Sequence, residues 1–360
     1  MDILEATTAY ERWMSRCTPL VSAHLRDKHA QMRDDLFRFL RATFYRWSQL
    51  WPEVCRDLRH APRVLAVGDL HVDSFGTWRD SEGRMCWGVD DFDEAYPLPY
   101  TNDLVRLATS ARIVIEIEQL TMKFKEACDA ILEGYHDTLR TGGCPMVLGE
   151  HEVTLKRLGI AAVEPPEDFW PKLLALPQAR SPLRPDVRHA LERTLPARQV
   201  DYKLVTREAG IGSLGQKRFV AIARWKGDCI AREAKAMVPS ACAWLAGRTA
   251  RGQSFYQRAL AGSVRAHDPF QRVVGTWLIR RLSPDSNPIE MADLPKKRDE
   301  GTLLHAMGSE AANVHLGRYR QRQRVLNDLR RRKADWLRVA AKDMADVTRR
   351  EWKTFRTATR

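Results

Sequence analysis

Two acidic loops, each preceded by a short apolar run, constrain the fold of this 360-residue chain most strongly. The first loop is GDLHVDSFG at residues 68–76, after VLAV at residues 64–67. The second is DFDE at residues 91–94, after MCWGV at residues 85–89. Apolar runs with β-branched and aromatic members predict strands, so carboxylates follow two neighbouring strands. Two such loops have the chemistry to deprotonate a hydroxyl and to hold a magnesium ion.

The composition predicts a folded, cytoplasmic protein. Hydrophobic residues make up 44% of the chain and charged residues 29%, which is ordinary for a folded globular protein. The sequence has no run of 18 apolar residues to span a membrane and no secretory signal at its start. Its seven cysteines are scattered without CxxC spacing, which predicts free thiols in a reducing compartment.

The positive charge of the chain is concentrated at its C-terminal end. Residues 318–360 hold 15 Lys and Arg against 5 Asp and Glu, out of a net charge of +13 for the chain. Apolar residues recur there near helical spacing, which predicts an amphipathic helix with a basic outer face, on which Trp336 and Trp352 dock against the body. The alternative is a surface for an acidic partner or nucleic acid.

The pattern divides the chain into five segments. Residues 1–58 are predicted to form an N-terminal helical segment, and residues 59–198 a helical lobe with the two acidic loops and an irregular, proline-rich end. Residues 199–298 are predicted to form a small sheet lobe, since short strand-like runs alternate there with turns. A helix over residues 299–317 returns to the large lobe, and the basic tail follows at 318–360.

A glycine motif lies within the sheet lobe. Gly210, Gly212 and Gly215 match G-x-G-x-x-G, a pattern that links a strand to a helix in dinucleotide-binding units. In protein kinases a similar loop links two antiparallel strands over the phosphates of ATP. Here residues 216–225 alternate like a strand, which favours the second arrangement and makes the loop a phosphate-gripping element. A plain glycine hairpin turn is the alternative.

Together these segments resemble the bacterial family called domain of unknown function 2252, which is itself similar to aminoglycoside-phosphotransferase and protein-kinase folds. The resemblance covers most of residues 28–317 and leaves out the basic tail. The residues that carry it are GDLH at 68–71 with Phe75 and Gly76, DFDE at 91–94, DLVRL at 103–107, the glycine loop at 210–215, and REA at 232–234 with Pro239 and Ser240.

The resemblance implies an α+β fold of the protein-kinase type, with a helical lobe and a small antiparallel sheet lobe that carries the glycine loop. In the usual order the glycine loop comes before the catalytic and metal-binding loops. Here the acidic loops precede it by more than 100 residues, which implies a circular permutation.

The resemblance also assigns roles in the acidic loops. Asp69 would orient a substrate hydroxyl and accept its proton, and His71 would brace its loop. Asp91 would bind magnesium with help from Asp93, and Ser74 takes the place of the Asn that the family pattern leads one to expect as a further ligand. Asp103 would tie the first loop down.

In the sheet lobe, the ATP phosphates would be surrounded by Gly210, Gly212, Ser213 and Gly215. A cation, either Arg232 or Lys235, would also contact them. These two side chains should point to opposite faces of a continuous strand. The sequence lacks Glu between positions 236 and 289, so Glu233 or Glu208 would have to pair with the lysine, or the pairing is absent.

These features lead to one expectation and two alternatives. The expectation is a phosphotransferase that uses ATP and Mg²⁺ to modify a small-molecule or protein hydroxyl, with nucleotidyl transfer also open. The first alternative is a pseudokinase, inactive in catalysis, that binds a nucleotide or partner. The second is a metallophosphoesterase, because Asp69 and His71 also match the D-x-H start of such sites, although the sequence has no downstream Asn-His pair.

Overall fold

The structure is a computed structural model and combines α-helices with small antiparallel sheets. It describes residues 1–149, 155, 157, 159, 161, 163–180, 183–197, 200–248, 255–286, 291, 299–317 and 319–358. Within these residues there are thirteen α-helices. They are α1 Ile3–Cys17, α2 Ser22–Asp34, α3 Leu36–Ala42, α4 Phe44–Val54, α5 Tyr100–Ile117, α6 Phe124–Thr141, α7 Pro166–Leu174, α8 Pro185–Glu192, α9 Ala241–Leu245, α10 Tyr256–Gly262, α11 Asp299–His315, α12 Tyr319–Leu329 and α13 Trp336–Ala358.

Nine strands in the described part of the chain form three antiparallel sheets. They are β1 Arg63–Ala66, β2 Phe75–Arg79, β3 Met85–Val89, β4 Tyr96–Pro99, β5 Tyr202–Thr206, β6 Arg218–Trp225, β7 Asp228–Ala236, β8 Arg272–Val274 and β9 Trp277–Leu282. Strand β1 pairs with β4, β2 pairs with β3, and the third sheet has the order β5-β6-β7-β9-β8. The two acidic loops follow β1 and β3, as the apolar runs predicted.

The largest core joins the N-terminal helices, α5, α6, α11 and the C-terminal helices. Asp2 begins α1 with a capping box, in which its side chain accepts hydrogen bonds from the backbone of Leu4 and Glu5. Helix α13 buries an apolar stripe that includes Leu337 and Met344. The basic tail therefore packs on the body as an amphipathic helix, as its spacing predicted.

The two tryptophans of this tail both dock. Trp352 donates from Nε1 to the Met32 carbonyl over 3.0 Å, and the Trp336 ring meets the edge of Tyr100 with 6.5 Å between the ring centroids. No helix in the described ranges is both long and apolar enough to cross a membrane. All seven cysteines are free thiols.

The five-stranded sheet is covered on both faces by helices of the proline-rich segment. On one face, Val220 and Ile222 pack with Leu173 of α7. On the other, Phe219 and Ala221 pack with Val187 of α8. The sequence pattern grouped residues 59–198 with the helical lobe, whereas α7 and α8 pack against the sheet. The apolar residues of these two helices do not indicate by themselves which surface buries them, and the sheet supplies that surface.

Candidate functional site

A cleft of about 370 Å³ lies between the acidic loops and the five-stranded sheet. The predicted site residues that line it are Asp69, His71, Ser74, Asp91, Asp93, Gly210, Gly212, Ser213 and Lys235. The cleft lining does not include Gly215 or Arg232. Residues separated by more than 100 positions therefore share one cavity, and the arrangement of each group follows from its local structure.

The backbone of the first acidic loop is fixed by α5. Asp103, fully buried in the first turn of α5, accepts hydrogen bonds from the backbone N–H of Val67 (2.7 Å) and Gly68 (3.0 Å). Gly68 has a φ of +86°, and a Cβ there would clash with the Glu94 carbonyl, so only glycine suits this position. His315 of α11 contacts the same carboxylate over 3.0 Å. The expected role of Asp103 in tying down this loop is confirmed.

The Asp69 carboxylate faces the cleft beside a buried arginine. Arg106, one turn after Asp103 on α5, contacts Oδ1 of Asp69 from both Nε (2.8 Å) and Nη2 (2.6 Å). No described residue forms a hydrogen bond with the other oxygen, Oδ2. Burial raises the pKa of Asp69, and the adjacent guanidinium opposes that rise. Asp69 thus has one oxygen held in place and one available to accept a proton.

Ser74 braces the same loop, whereas the His71 ring forms no hydrogen bond with a described residue and its Nδ1 is buried without a partner. The Ser74 hydroxyl accepts from the backbone N–H of His71 and donates to the Asp69 carbonyl, both over 3.0 Å. Burial, together with the charges of Arg41 and Arg106, holds the pKa of His71 well below its usual range, so its ring is neutral at pH 7. Ser74 is buried within the loop, and its hydroxyl is already engaged there.

The second acidic loop meets Lys235 of β7. Lys235 forms an ion pair with Asp93, and its Nζ lies 3.6 Å from Oδ2 of Asp91. The Asp91 side chain is 51% exposed, whereas that of Lys235 is 2% exposed. Burial of its loop acts to raise the pKa of Asp91, but Lys235, the Asp93 backbone N–H and two nearby arginines together lower it to about 2. Asp91 therefore presents a permanent negative charge to the cleft.

Asp90, directly before the predicted metal residues, also lines the cleft. Its backbone N–H donates to the Ser74 carbonyl over 3.1 Å, which links the two acidic loops. None of the described residues forms a hydrogen bond or ion pair with its carboxylate. Burial raises the pKa of Asp90 to about 6. Its carboxylate adds a further acidic group to the cleft beside Asp91.

The acidic residues fit a magnesium ion in part. The described ranges contain no group of three or more His, Cys, Asp or Glu side chains arranged to hold a metal. Magnesium, however, is commonly bound through one or two carboxylates together with substrate phosphates and water. Asp91 is half exposed, and Oδ1 of Asp93 is buried without a hydrogen-bond partner in the described structure. These two carboxylates suit such a site, whereas the Ser74 hydroxyl is occupied.

The glycine loop connects the antiparallel strands β5 and β6 and contains a short 3₁₀ helix, Ile211–Ser213. It therefore does not lead from a strand into an α-helix, as a dinucleotide-binding loop would. Helix α2 holds it from outside: the Val21 N–H donates to the Gly215 carbonyl over 2.9 Å, and Lys28 Nζ donates to the Gly212 carbonyl over 3.3 Å. Gly215 has a φ of +99° and packs on Leu25, which explains why it lies outside the cleft lining.

Of the two candidate cations on β7, Lys235 faces the cleft and Arg232 does not. Arg232 donates to the Thr194 carbonyl over 3.0 Å, and its guanidinium lies 4.0 Å from the centroid of the Phe270 ring. The strand is continuous, so the two side chains point to opposite faces. Arg232 therefore points away from the cleft that most of the predicted site residues line.

Glu233 is fully buried on the cleft side of the sheet and joins three arginines. It contacts Arg207 (2.9 Å), Arg218 (3.2 Å) and Arg280 (2.7 Å). The charges of these arginines outweigh burial and hold the pKa of Glu233 well below its usual range. Glu233 therefore does not pair with Lys235, the pairing that the sequence left open; it holds what we call the arginine trio, Arg207, Arg218 and Arg280.

Buried polar atoms without partners concentrate at this cleft. Ten buried side-chain nitrogen or oxygen atoms in the described structure have no hydrogen-bond partner. Six of them belong to residues that line the cleft: Arg41 Nε, His71 Nδ1, Asp93 Oδ1, Gln216 Oε1, Arg218 Nε and Arg265 Nε. Because a buried polar atom without a partner is costly, the cleft is suited to a polar ligand.

The sequence motifs did not predict a site role for Arg106, Asp90 or the arginine trio. A signal was present for Glu233, which lies two positions before Lys235 on the same strand and so shares its face. Arg218 begins the mostly apolar strand β6. Arg106 lies in the DLVRL motif at 103–107, but the motif assigned it no role, because only the packing of α5 against the first loop brings it to Asp69.

Comparison with known proteins supports a family likeness for part of the chain. Residues 20–156 match the model of a family described as an uncharacterized protein conserved in bacteria, domain of unknown function 2252. This range holds both acidic loops and α5, ends before the glycine loop, and is shorter than the 28–317 expected. No curated protein and no solved structure matches the chain. The chain is thus similar to this bacterial family over residues 20–156.

Proposed function

We propose that this protein is an ATP- and Mg²⁺-dependent phosphotransferase that acts on a small-molecule or protein hydroxyl. The observation that carries the proposal is the shared cleft, which combines Asp69, the Asp91–Lys235 contact and the glycine loop. This is the set of parts that phosphoryl transfer needs, namely an acceptor base, a metal-binding carboxylate and a phosphate-binding wall. Their order along the chain is that of a circularly permuted kinase-like fold, which we propose as the architecture.

Each residue has a defined task in this proposal. Oδ2 of Asp69 accepts the hydroxyl proton of the acceptor while Arg106 holds Oδ1, so the carboxylate keeps one orientation. Lys235 and the glycine loop contact the phosphates. Asp91 and Asp93 would hold Mg²⁺, which supplies charge neutralisation at the phosphates when bound. The protein thus contributes positioning and electrostatic stabilisation.

Nucleotide binding is tested by thermal denaturation with ATP, with and without Mg²⁺. We expect ATP with Mg²⁺ to raise the melting temperature of the wild type, and Asp91→Asn to lose the Mg²⁺-dependent part of that rise. Asp129→Asn is the matched control, because Asp129 is an exposed carboxylate on α6 whose partner is Lys125. Equal shifts in wild type and Asp91→Asn would contradict the metal assignment.

Phosphoryl transfer is tested with γ-labelled ATP and an extract of metabolites and proteins. We expect label transfer by the wild type and a loss of about 10²- to 10⁴-fold in Asp69→Asn, the range typical of a general base. ATP binding should persist in this variant. Equal rates in the two proteins would remove Asp69 from catalysis.

A nucleotide-binding protein without transfer activity is the second candidate. Two contacts favour it: Lys235 is paired with Asp93, and the Ser74 hydroxyl is bonded within its loop. ATP binding by wild type without label transfer to any fraction of the extract would support this candidate and contradict the enzyme.

A further inference from the structure

The sequence led us to expect one cation at the phosphates, whereas the cleft also holds the arginine trio. Arg218, Glu233, Lys235 and Arg280 are neighbours in the sheet, since Arg218 is opposite Lys235 and Arg280 is opposite Glu233 in the strand register. Directly opposite residues of an antiparallel pair share a face. One face of β6, β7 and β9 therefore presents a compact charged patch to the cleft.

This patch concentrates guanidinium groups at the cleft. Lys235 is balanced by Asp93 and Asp91. Within ion-pair distance, the three guanidinium groups of the trio share one carboxylate, that of Glu233. The Asp90 carboxylate lies near Arg280 without forming an ion pair with it, so a phosphate could replace water at the remaining guanidinium N–H groups. Arg218 is 5% exposed, and its Nε has no hydrogen-bond partner among the residues described. Arginine guanidinium groups match the geometry of phosphate oxygens and bind them with two hydrogen bonds at a time.

The trio is continuous with the glycine loop. Arg218 contacts Glu233 with Nη1 and the Ser213 hydroxyl with Nη2, so one guanidinium joins the carboxylate to the loop. A Cβ on Gly210 would lie 3.2 Å from that same Nη2. Backbone N–H groups of a glycine-rich loop and arginine side chains are two common phosphate-binding devices. Here they meet at one end of the cleft.

Most of the apolar part of the same sheet face is covered, and only Leu282 of its apolar cluster lines the cleft. Val220, opposite Glu233, and Ile222 are buried against Leu173 of α7, with Phe169 and Trp170 packed around them. A base that entered along this face would meet the charged patch instead of an apolar surface. Phosphate groups are the ligand chemistry that this face suits.

We infer that the arginine trio, held in place by Glu233, binds the polyphosphate group of the donor. These contacts with the polyphosphate provide most of the affinity for the donor. The inference rests on the proposed function, because it takes the phosphate to be that of the donor. Glu233 is a positioning residue, since it orients the guanidinium groups without contacting the phosphate.

Calorimetric titration with inorganic tripolyphosphate, ATP and adenosine, without Mg²⁺, tests the inference. We expect tripolyphosphate to bind about as tightly as ATP, and adenosine not to bind detectably. Arg207→Gln and Arg280→Gln should each weaken tripolyphosphate binding about 10-fold or more, since each removes charge-assisted hydrogen bonds. The matched control is Arg224→Gln, because Arg224 is an exposed arginine on β6 outside the cleft. The tripolyphosphate affinity of this variant should equal that of the wild type.

Glu233→Gln distinguishes positioning from simple electrostatics. Removal of a negative charge beside a polyanion should strengthen binding if Glu233 acts only through its charge. We expect weaker binding, because the arginines lose their common anchor. If Glu233→Gln does not fold, Arg207→Gln still tests whether the trio binds the phosphates, since Arg207 is the most exposed of the three arginines at 29%.

The outcomes separate this inference from the proposed function. Unchanged tripolyphosphate affinity in Arg207→Gln and Arg280→Gln would overturn the inference, even if the wild type transfers phosphate. Binding of adenosine as tight as that of ATP would also overturn it. If tripolyphosphate binds through the arginines but no transfer occurs, the inference stands and the phosphotransferase proposal fails.

Discussion

Asp103 and Arg106 lie one helical turn apart on α5 and control different parts of the first acidic loop. Asp103 binds the loop backbone, whereas Arg106 holds the Asp69 side chain. Both are almost completely buried. Asp103 therefore determines whether the loop keeps its shape, and Arg106 determines whether the Asp69 carboxylate keeps its orientation.

Asp103→Ala should lower the free energy of unfolding by about 3 to 5 kcal/mol. The change leaves the N–H groups of Val67 and Gly68 buried without an acceptor and removes the partner of His315 Nε2. Urea denaturation measures the effect. The control, Asp129→Ala, removes an exposed ion pair and should cost less than about 1 kcal/mol. A loss as small as that of the control would show that the loop does not depend on Asp103.

Arg106→Gln should shift the pH dependence of phosphoryl transfer. The guanidinium opposes the rise in the pKa of Asp69 that burial causes, so its removal raises that pKa further. Since a general base must be ionised, the acidic limb of the kcat/KM profile should move to higher pH. Arg112→Gln on the same helix is the control, because Arg112 pairs with Glu116 away from the cleft. An unmoved limb would mean that Asp69 is not the base.

At the scale of elements, the close approach of α6 and α11 depends on two glycines. A Cβ on Gly308 of α11 would overlap the Ile131 carbonyl, and a Cβ on Gly134 of α6 would overlap the His305 carbonyl. This contact places His315, at the end of α11, against Asp103. The packing of two helices therefore reaches the first acidic loop.

Gly308→Ala should destabilise the protein by about 1 to 3 kcal/mol, the usual cost of overpacking, although alanine is the better helix former. Gly262→Ala at the end of α10 is the control, because a Cβ there meets no other atom within 4 Å, and we expect little change. Thermal or urea denaturation compares the two. A stabilising Gly308→Ala would mean that the helices have room to separate.

Lys28 links α2 to the glycine loop and is buried. Its Nζ donates to the Gly212 carbonyl, and burial lowers its pKa. Because a buried charge without a carboxylate partner costs free energy, Lys28→Met should raise the free energy of unfolding by about 1 to 3 kcal/mol. Denaturation of wild type and variant gives the measurement. If the variant is less stable, the hydrogen bond to the glycine loop outweighs the cost of burying the charge.

For the whole molecule, buried carboxyl groups give opposite pH dependences. Burial raises the pKa of Glu94 to about 8 from 4.5, so between these values the folded protein holds more protons than the unfolded one, and stability falls as pH rises. The lowered pKa of Glu233 acts the other way, and its contribution is lost only as pH falls below the range where an unfolded glutamate ionises.

Glu94→Gln should therefore flatten the decline in stability between about pH 5 and pH 8. The Gln carbonyl oxygen keeps an acceptor for the Ala241 N–H that Glu94 now binds over 2.7 Å. Urea denaturation at several pH values measures the slope, with Glu118→Gln at the exposed end of α5 as the control. An unchanged slope in Glu94→Gln would assign the pH dependence to other groups.

Local sequence patterns predicted the strands before the two acidic loops, the link between β5 and β6, and the docked face of α13, but they did not predict β2 or β4. Period-two alternation also placed Arg232 and Lys235 on opposite faces, because strand geometry depends only on neighbouring residues. Only the tertiary structure decided which face of β7 lines the cleft. It also decided that Lys235 pairs with Asp93, that Glu233 contacts three arginines, and that α7 and α8 cover the sheet. These contacts join residues far apart in the chain, so they depend on the path of the whole backbone, which no local periodicity encodes.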